Sequence, residues 1–210
     1  MEKRTPDVEA GSDLVPQGIE LTLPDDQFIH FLPLLQKGFW VKVQLGCSVE
    51  SLLGEQLGLP PEFIQNRIKT IFLDGKPVDE LRQTFIGDRS ILALSAAMPG
   101  LAGAALRRGN PLRSFRGSVP PGEHRSCPSL REGFLCLRIF NLLILELGPS
   151  LLARGIFLPQ DEWEELRKEL PGVPDPETAG REEKGQAERL ESRDGQGSRH
   201  FVRISVHFRS

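Results

Sequence analysis

The stretch Ile91–Gly109, ILALSAAMPGLAGAALRRG, decides how this chain is read. Its first five residues, Ile91–Ser95, form the apolar run of a strand. The side chains then shrink almost to nothing through Ala96, Ala97 and Gly100. A short apolar turn follows and reaches Arg107 and Arg108. A strand that ends in so thin a tail, yet does not end the chain, sets the question for the residues on either side.

Upstream, IELTL (19–23) alternates Ile19, Leu21 and Leu23 against Glu20 and Thr22, the period of a half-buried strand. DDQFIHFLPLLQKG reads as a short helix capped by Asp25 or Asp26 and kinked or ended by Pro33. FWVKVQL alternates again, with Phe39, Val41, Val43 and Leu45 inward. In GCSVESLLGEQLGLP, Ser48 suits an N-cap, Glu50 the first turn and Gly58 the C-terminal stop. PPEFIQN supplies a helical turn, and RIKTIFL (67–73) reads as a strand. The Asp74–Gly75 pair reverses the chain tightly. Residues 1–17 read as a flexible leader.

Downstream, Arg107–Arg131 holds six arginines and one acid, Glu123, among Gly, Pro and Ser, the composition of a linker. FLCLRIF places Leu135, Leu137 and Ile139 on one face of a strand. NLLILELGPSLLARG reads as a helix broken at Gly148–Pro149, and IFLP as a short strand. QDEWEELRKEL is the strongest helix, with acids first, Arg167 and Lys168 last, and Trp163, Leu166 and Leu170 as its buried stripe. Residues 171–199 carry too little apolar surface to offset ordering entropy and are expected to lack fixed structure. HFVRISVHF then alternates Val202, Ile204, Val206 and Phe208 against Arg203, Ser205 and His207. That strand needs a sheet to join, most simply the one holding residues 134–140.

Composition narrows the classes. The 210 residues include 21 Gly and 17 Pro, which argues for short elements and many turns. A net charge of −3 points to neither nucleic acid nor membrane. Cys47, Cys127 and Cys136 are odd in number and widely spaced, which is no disulfide framework, so a reducing, cytoplasmic setting is expected. No apolar run is long and clean enough for a bilayer span.

The segments GCSVESLLGEQLGL, IFLDGKPVDE and GDRSILALSAAMPG together resemble the β-grasp of the ubiquitin-like sulfur-carrier proteins of thiamine and molybdopterin biosynthesis, over residues 19–100. The resemblance implies a β-grasp domain, placed over 18–110; with the residues beyond it, the expected architecture is α+β, an Arg/Pro/Gly-rich linker over 111–132 and a small α/β element over 133–210 following that domain. It also implies a thin tail that an activating enzyme threads into a channel. The carriers end in Gly-Gly, whose carboxylate is activated. Here the matching place reads Met98-Pro99-Gly100 and continues. Close backbone packing is the simpler reading of these small residues.

Chemistry-bearing residues are few. Cys47 beside the N-cap Ser48 is the candidate reactive thiol, since a helix N-terminus lowers a thiol pKa. Cys136 reads as strand packing. The four histidines show no metal-ligand spacing, and no catalytic residue or cofactor is assigned. Arg107 and Arg108 form a basic turn able to grip a phosphate or carboxylate. The linker arginines lack interleaved aromatics, with Phe115 alone, which disfavours nucleic acid. The expected role is a non-catalytic interaction module with a protein partner, with Pro99, Gly100, Arg107 and Arg108 as binding candidates. Two alternatives stand beside it: a carrier precursor cleaved after Gly100, and an arginine-based binder of anionic metabolites.

Overall fold

A computed structural model describes residues 18–96, 108, 130–170, 173, 188–191 and 198–209. Strand β1 (Ile19–Pro24) leads into a 3-10 helix (Asp25–Phe31), α1 (Leu32–Lys37) and β2 (Phe39–Leu45). Next come α2 (Val49–Ser51), continued by a π-helical turn (Leu52–Gln56), and α3 (Pro61–Asn66). Strands β3 (Thr70–Leu73), β4 (Lys76–Pro77) and β5 (Ile91–Ser95) follow. The second half holds β6 (Arg131–Phe140), α4 (Leu143–Arg154), β7 (Ile156–Pro159), α5 (Gln160–Glu169), β8 (Glu188–Glu191) and β9 (Ser198–Arg209).

The fold is mixed α and β, with one mixed sheet and several helices. Eight strands run in the order β1-β9-β7-β2-β6-β5-β3-β4, and β8 pairs with β9. Strands from both ends of the chain therefore alternate within one sheet. Pairing is parallel for β1 with β9 and for β5 with β6. It is antiparallel for β2 with β6 and β7, and for β3 with β4 and β5. The terminal strand does enter the sheet that holds residues 134–140, but beside β1 and β7 rather than beside β6. Phe201 opposes both Pro159 and Glu188, while Ile204 opposes both Ile156 and Ile19. Since a strand has two edges, β8 and β1 lie end to end along one edge of β9, with β7 on the other.

Local chemistry accounts for most boundaries. Ser48 Oγ accepts the Ser51 N–H at 3.2 Å, the expected cap. Gly58 has φ +68° and ends that helix. Asp74 and Gly75 both have positive φ, 51° and 76°, as a two-residue hairpin turn requires. The Asp74 carboxylate also accepts from the Ile91 N–H at 2.8 Å and the Ser90 hydroxyl at 3.0 Å, tying the turn to β5.

Four expectations need correction. Asp25 and Asp26 lie in the first turn of the 3-10 helix without capping it, while the 3-10 helix does end at Phe31 and α1 begins at Leu32, with Pro33 in its first turn. The run from Arg67 becomes strand only at Thr70, because Arg67 still closes α3 through its N–H on Phe63 O at 2.8 Å. The helix α4 passes through Gly148–Pro149 unbroken. Proline there removes the donor to the Leu145 carbonyl, but Leu145 is exposed and water can serve that oxygen. Finally, Glu188–Glu191 form a strand within the stretch expected to lack structure, while most of that stretch lies outside the described residues.

One face of the sheet meets the helices and carries the main core. Leu92, Leu94, Leu135, Leu137, Ile204 and Phe39 are fully enclosed there, with Leu35, Leu53 and Leu152 from the helical layer. Phe208 takes Phe28 and Phe31 edge-on, at 5.4 and 5.8 Å between ring centres. Trp163, Leu166 and Leu170 are buried as their helical spacing predicts. Among the described residues, no helix is long and apolar enough to cross a bilayer.

Candidate functional site

Around the end of β5, where the thin tail begins, the structure gathers a set of main-chain clamps. Lys69 is the residue before β3 and holds both Ser95 and Arg108. Its N–H donates to Ser95 O at 3.0 Å, and its carbonyl accepts from the Arg108 N–H at 2.9 Å. Ser95 and Arg108 thus meet at the same strand end. Asn141 Nδ2 donates to Ser95 Oγ at 2.9 Å, joining the end of β6 to the end of β5.

Arg108 is half-buried, and its guanidinium turns one terminal nitrogen onto the protein itself while its buried Nε has no partner among the described residues. One terminal nitrogen donates to Ile64 O at 2.6 Å and to Ile68 O at 2.7 Å. The Ile64 carbonyl lies in the last turn of α3, where a helix offers unpaired acceptors and negative partial charge, and Ile68 follows just beyond it. Burial pushes the Arg108 pKa down, and Asp79 opposes that shift. The geometry is that of a structural clasp. Arg107, Pro99 and Gly100 lie outside the described residues. Nearby, Arg67 Nε donates to Glu146 Oε2 at 2.9 Å and a second nitrogen reaches Oε1, linking α3 to α4 across the end of the sheet.

Cys47 does sit beside the N-cap Ser48, but it is buried, and Gln56 Nε2 lies 3.1 Å from its Sγ. Cys136 is also buried, and burial pushes its thiol pKa up against the opposing effect of Arg138. Cys127 lies outside the described residues. Among the described residues, no three His, Cys, Asp or Glu side chains are grouped to hold a metal ion.

A feature absent from the sequence reading lies on the sheet face away from the helices. Phe134, Phe157 and Phe201 are buried together there with half-buried Trp40. Phe134 meets Phe157 edge-on at 5.1 Å, and Trp40 meets Phe201 edge-on at 5.9 Å. Each of these aromatics is out of phase with the core positions of its own strand. That phase was the available signal: in FWVKVQL, Trp40 falls with Lys42 and Gln44, opposite Phe39 and Val41.

No protein-family model matches this chain, and neither a curated protein nor a solved structure shows significant similarity to it.

Proposed function

We propose that this chain is a non-catalytic protein-interaction module built on a β-grasp-type sheet. The observation that supports this reading is the sub-sheet β2-β6-β5-β3-β4. A β-grasp combines a hairpin, a helix after the hairpin, and further strands, the last of which lies parallel to the first strand of the hairpin. Here β5 and β6 are the parallel neighbours, β2 flanks β6 antiparallel, a helix follows β2, and β3 with β4 completes the far side. The departure is in chain order. The strand next to β2 arrives after β5 instead of before β2, while β1 lies at the opposite margin of the sheet.

The return of the chain at Arg108 favours a module over a carrier. Carrier chemistry needs a thin tail with a free carboxylate, whereas Lys69, Ile64 and Ile68 hold Arg108 against the fold. Fold likeness transfers no activity by itself. The test is the intact mass of the protein from its own cells, together with cross-linked complexes isolated from them. A single full-length mass and a stoichiometric protein complex are expected. A species ending at Gly100 with a sulfur-bearing carboxyl group would overturn the module in favour of carrier chemistry.

A further inference from the structure

We propose that β1 is the docking edge of this module, and that its occupant is an extended segment of another protein alternating apolar and basic side chains. The proposal rests on the module reading and adds the place and chemistry of the contact. β1 stands last in the strand order, so one of its edges pairs with β9 and the other has no partner strand among the described residues. Such an edge presents a row of main-chain donors and acceptors to any added strand.

Two further observations define what fits. On the helix side, the margin is incompletely covered. Ile19, Leu21, Phe28 and Phe208 are only half-buried, and Ile29, on the 3-10 helix that follows β1, is 63% exposed. Their counterparts on inner strands, Leu135, Leu137 and Ile204, are fully enclosed. An added strand with apolar side chains on that side would complete the cover, since residues of neighbouring strands at one level share a face. On the other side, Glu20 is exposed at the middle of the edge and forms no ion pair among the described residues, although Arg203 and His207 stand on β9 at the levels flanking its partner Ser205. Asp26, also exposed, accepts from its neighbour Gln27. A basic side chain directly across from Glu20 meets an unspent charge. β1 ends at Pro24, where the chain turns into the 3-10 helix, so the added strand stops there.

The experiment uses the full chain and a fluorescein-labelled, end-capped octapeptide alternating valine with lysine, read by anisotropy. Two controls accompany it: the same peptide with glutamate for lysine, and the valine–lysine peptide N-methylated at alternate residues. The valine–lysine peptide is expected to bind, the glutamate version at least tenfold more weakly, and the N-methylated one not at all. Glu20→Lys should weaken the first by about tenfold, since it turns a facing attraction into repulsion. Glu164→Lys, on the exposed face of α5, should leave it unchanged, and circular dichroism shows that both variants fold. Equal binding of the two charged peptides, retention after N-methylation, indifference to Glu20→Lys, or no binding at all would overturn the proposal. So would a concentration-dependent dimer that excludes the peptide, which would assign the edge to a second copy. Co-isolation of a partner with both wild type and Glu20→Lys would sink the edge assignment while leaving the module reading in place.

Discussion

The side-chain amide of Gln56 occupies both main-chain groups of Gln44: Oε1 accepts the Gln44 N–H at 2.8 Å, and Nε2 donates to the Gln44 carbonyl at 3.1 Å. β7 is too short to pair with β2 at this level, its register with β2 being Trp40 opposite Phe157. A residue of the π-helical turn therefore supplies the pairing that a longer strand would give, with Nε2 also 3.1 Å from Cys47 Sγ. A main-chain strand group must be satisfied somewhere, and here a side chain twelve residues away does it.

Gln56→Ala is accordingly expected to lower stability by about 1–2 kcal/mol, the combined worth of two partly exposed hydrogen bonds. Urea unfolding with an unchanged m-value checks it. Gln56→Glu should recover only part of the loss, since a carboxylate accepts from the Gln44 N–H but cannot donate to its carbonyl.

Neighbouring positions in α4 should respond with opposite signs. A Cβ at Gly148 would stand 2.7 Å from Phe28 Cζ and 2.8 Å from Leu35 Cδ1, and Leu35 is fully enclosed. Gly148→Ala should therefore cost about 1–2 kcal/mol, the overpacking exceeding the gain in helix propensity. Pro149→Ala restores the missing donor to Leu145 and should raise stability by about 1–2 kcal/mol. Thermal unfolding of the two variants beside wild type decides both.

Arg108→Ala should cost about 2 kcal/mol, because it leaves the carbonyls of Ile64 and Ile68 without their charged donor. Arg108→Lys should restore only part, since a single ammonium reaches both carbonyls with poorer geometry. Hydrogen exchange adds a local readout: amides of α3 should open faster in Arg108→Ala than those of α5.

The Arg67 guanidinium holds the Glu146 carboxyl below its ordinary value of 4.5, first by hydrogen bond and to a lesser extent by charge, against burial, which pushes it up. A folded pKa below the unfolded one stabilises above the unfolded value, and that stability is lost as pH falls through the folded value. The stability difference between wild type and Glu146→Gln should thus be constant near neutrality and shrink below about pH 4.5. Salt should reduce it too, because the pair is partly exposed, with the side chains 50% and 25% accessible. Urea titrations across pH 3–7 at two ionic strengths measure both effects. A difference that persists unchanged in acid would refute the assignment.

Much of the local structure was legible in the residues. The alternations at 19–23, 39–45, 134–140 and 201–208 each became strands with the expected face inward, and Ser48, Gly58 and Asp74–Gly75 took the cap, stop and turn that their chemistry favours. These features depend on interactions within a few residues, which a linear pattern records directly. The candidate site was less legible. Arg108 reads as a basic turn, and only the approach of α3 turns its guanidinium toward carbonyls forty residues earlier in the chain.

What the sequence by itself determined is the set of elements and the side of each that faces the core, because period and capping are local. Only the tertiary structure decided which strands are neighbours. β5 lies parallel to β6 across the stretch 96–130, and β1 lies parallel to β9 from the far end of the chain. Any apolar strand satisfies any other through the same main-chain bonds, so alternation alone cannot choose among them. The choice comes from joint packing, in which Phe208 must meet Phe28 and Phe31, and Leu35 must meet Gly148, at the same time.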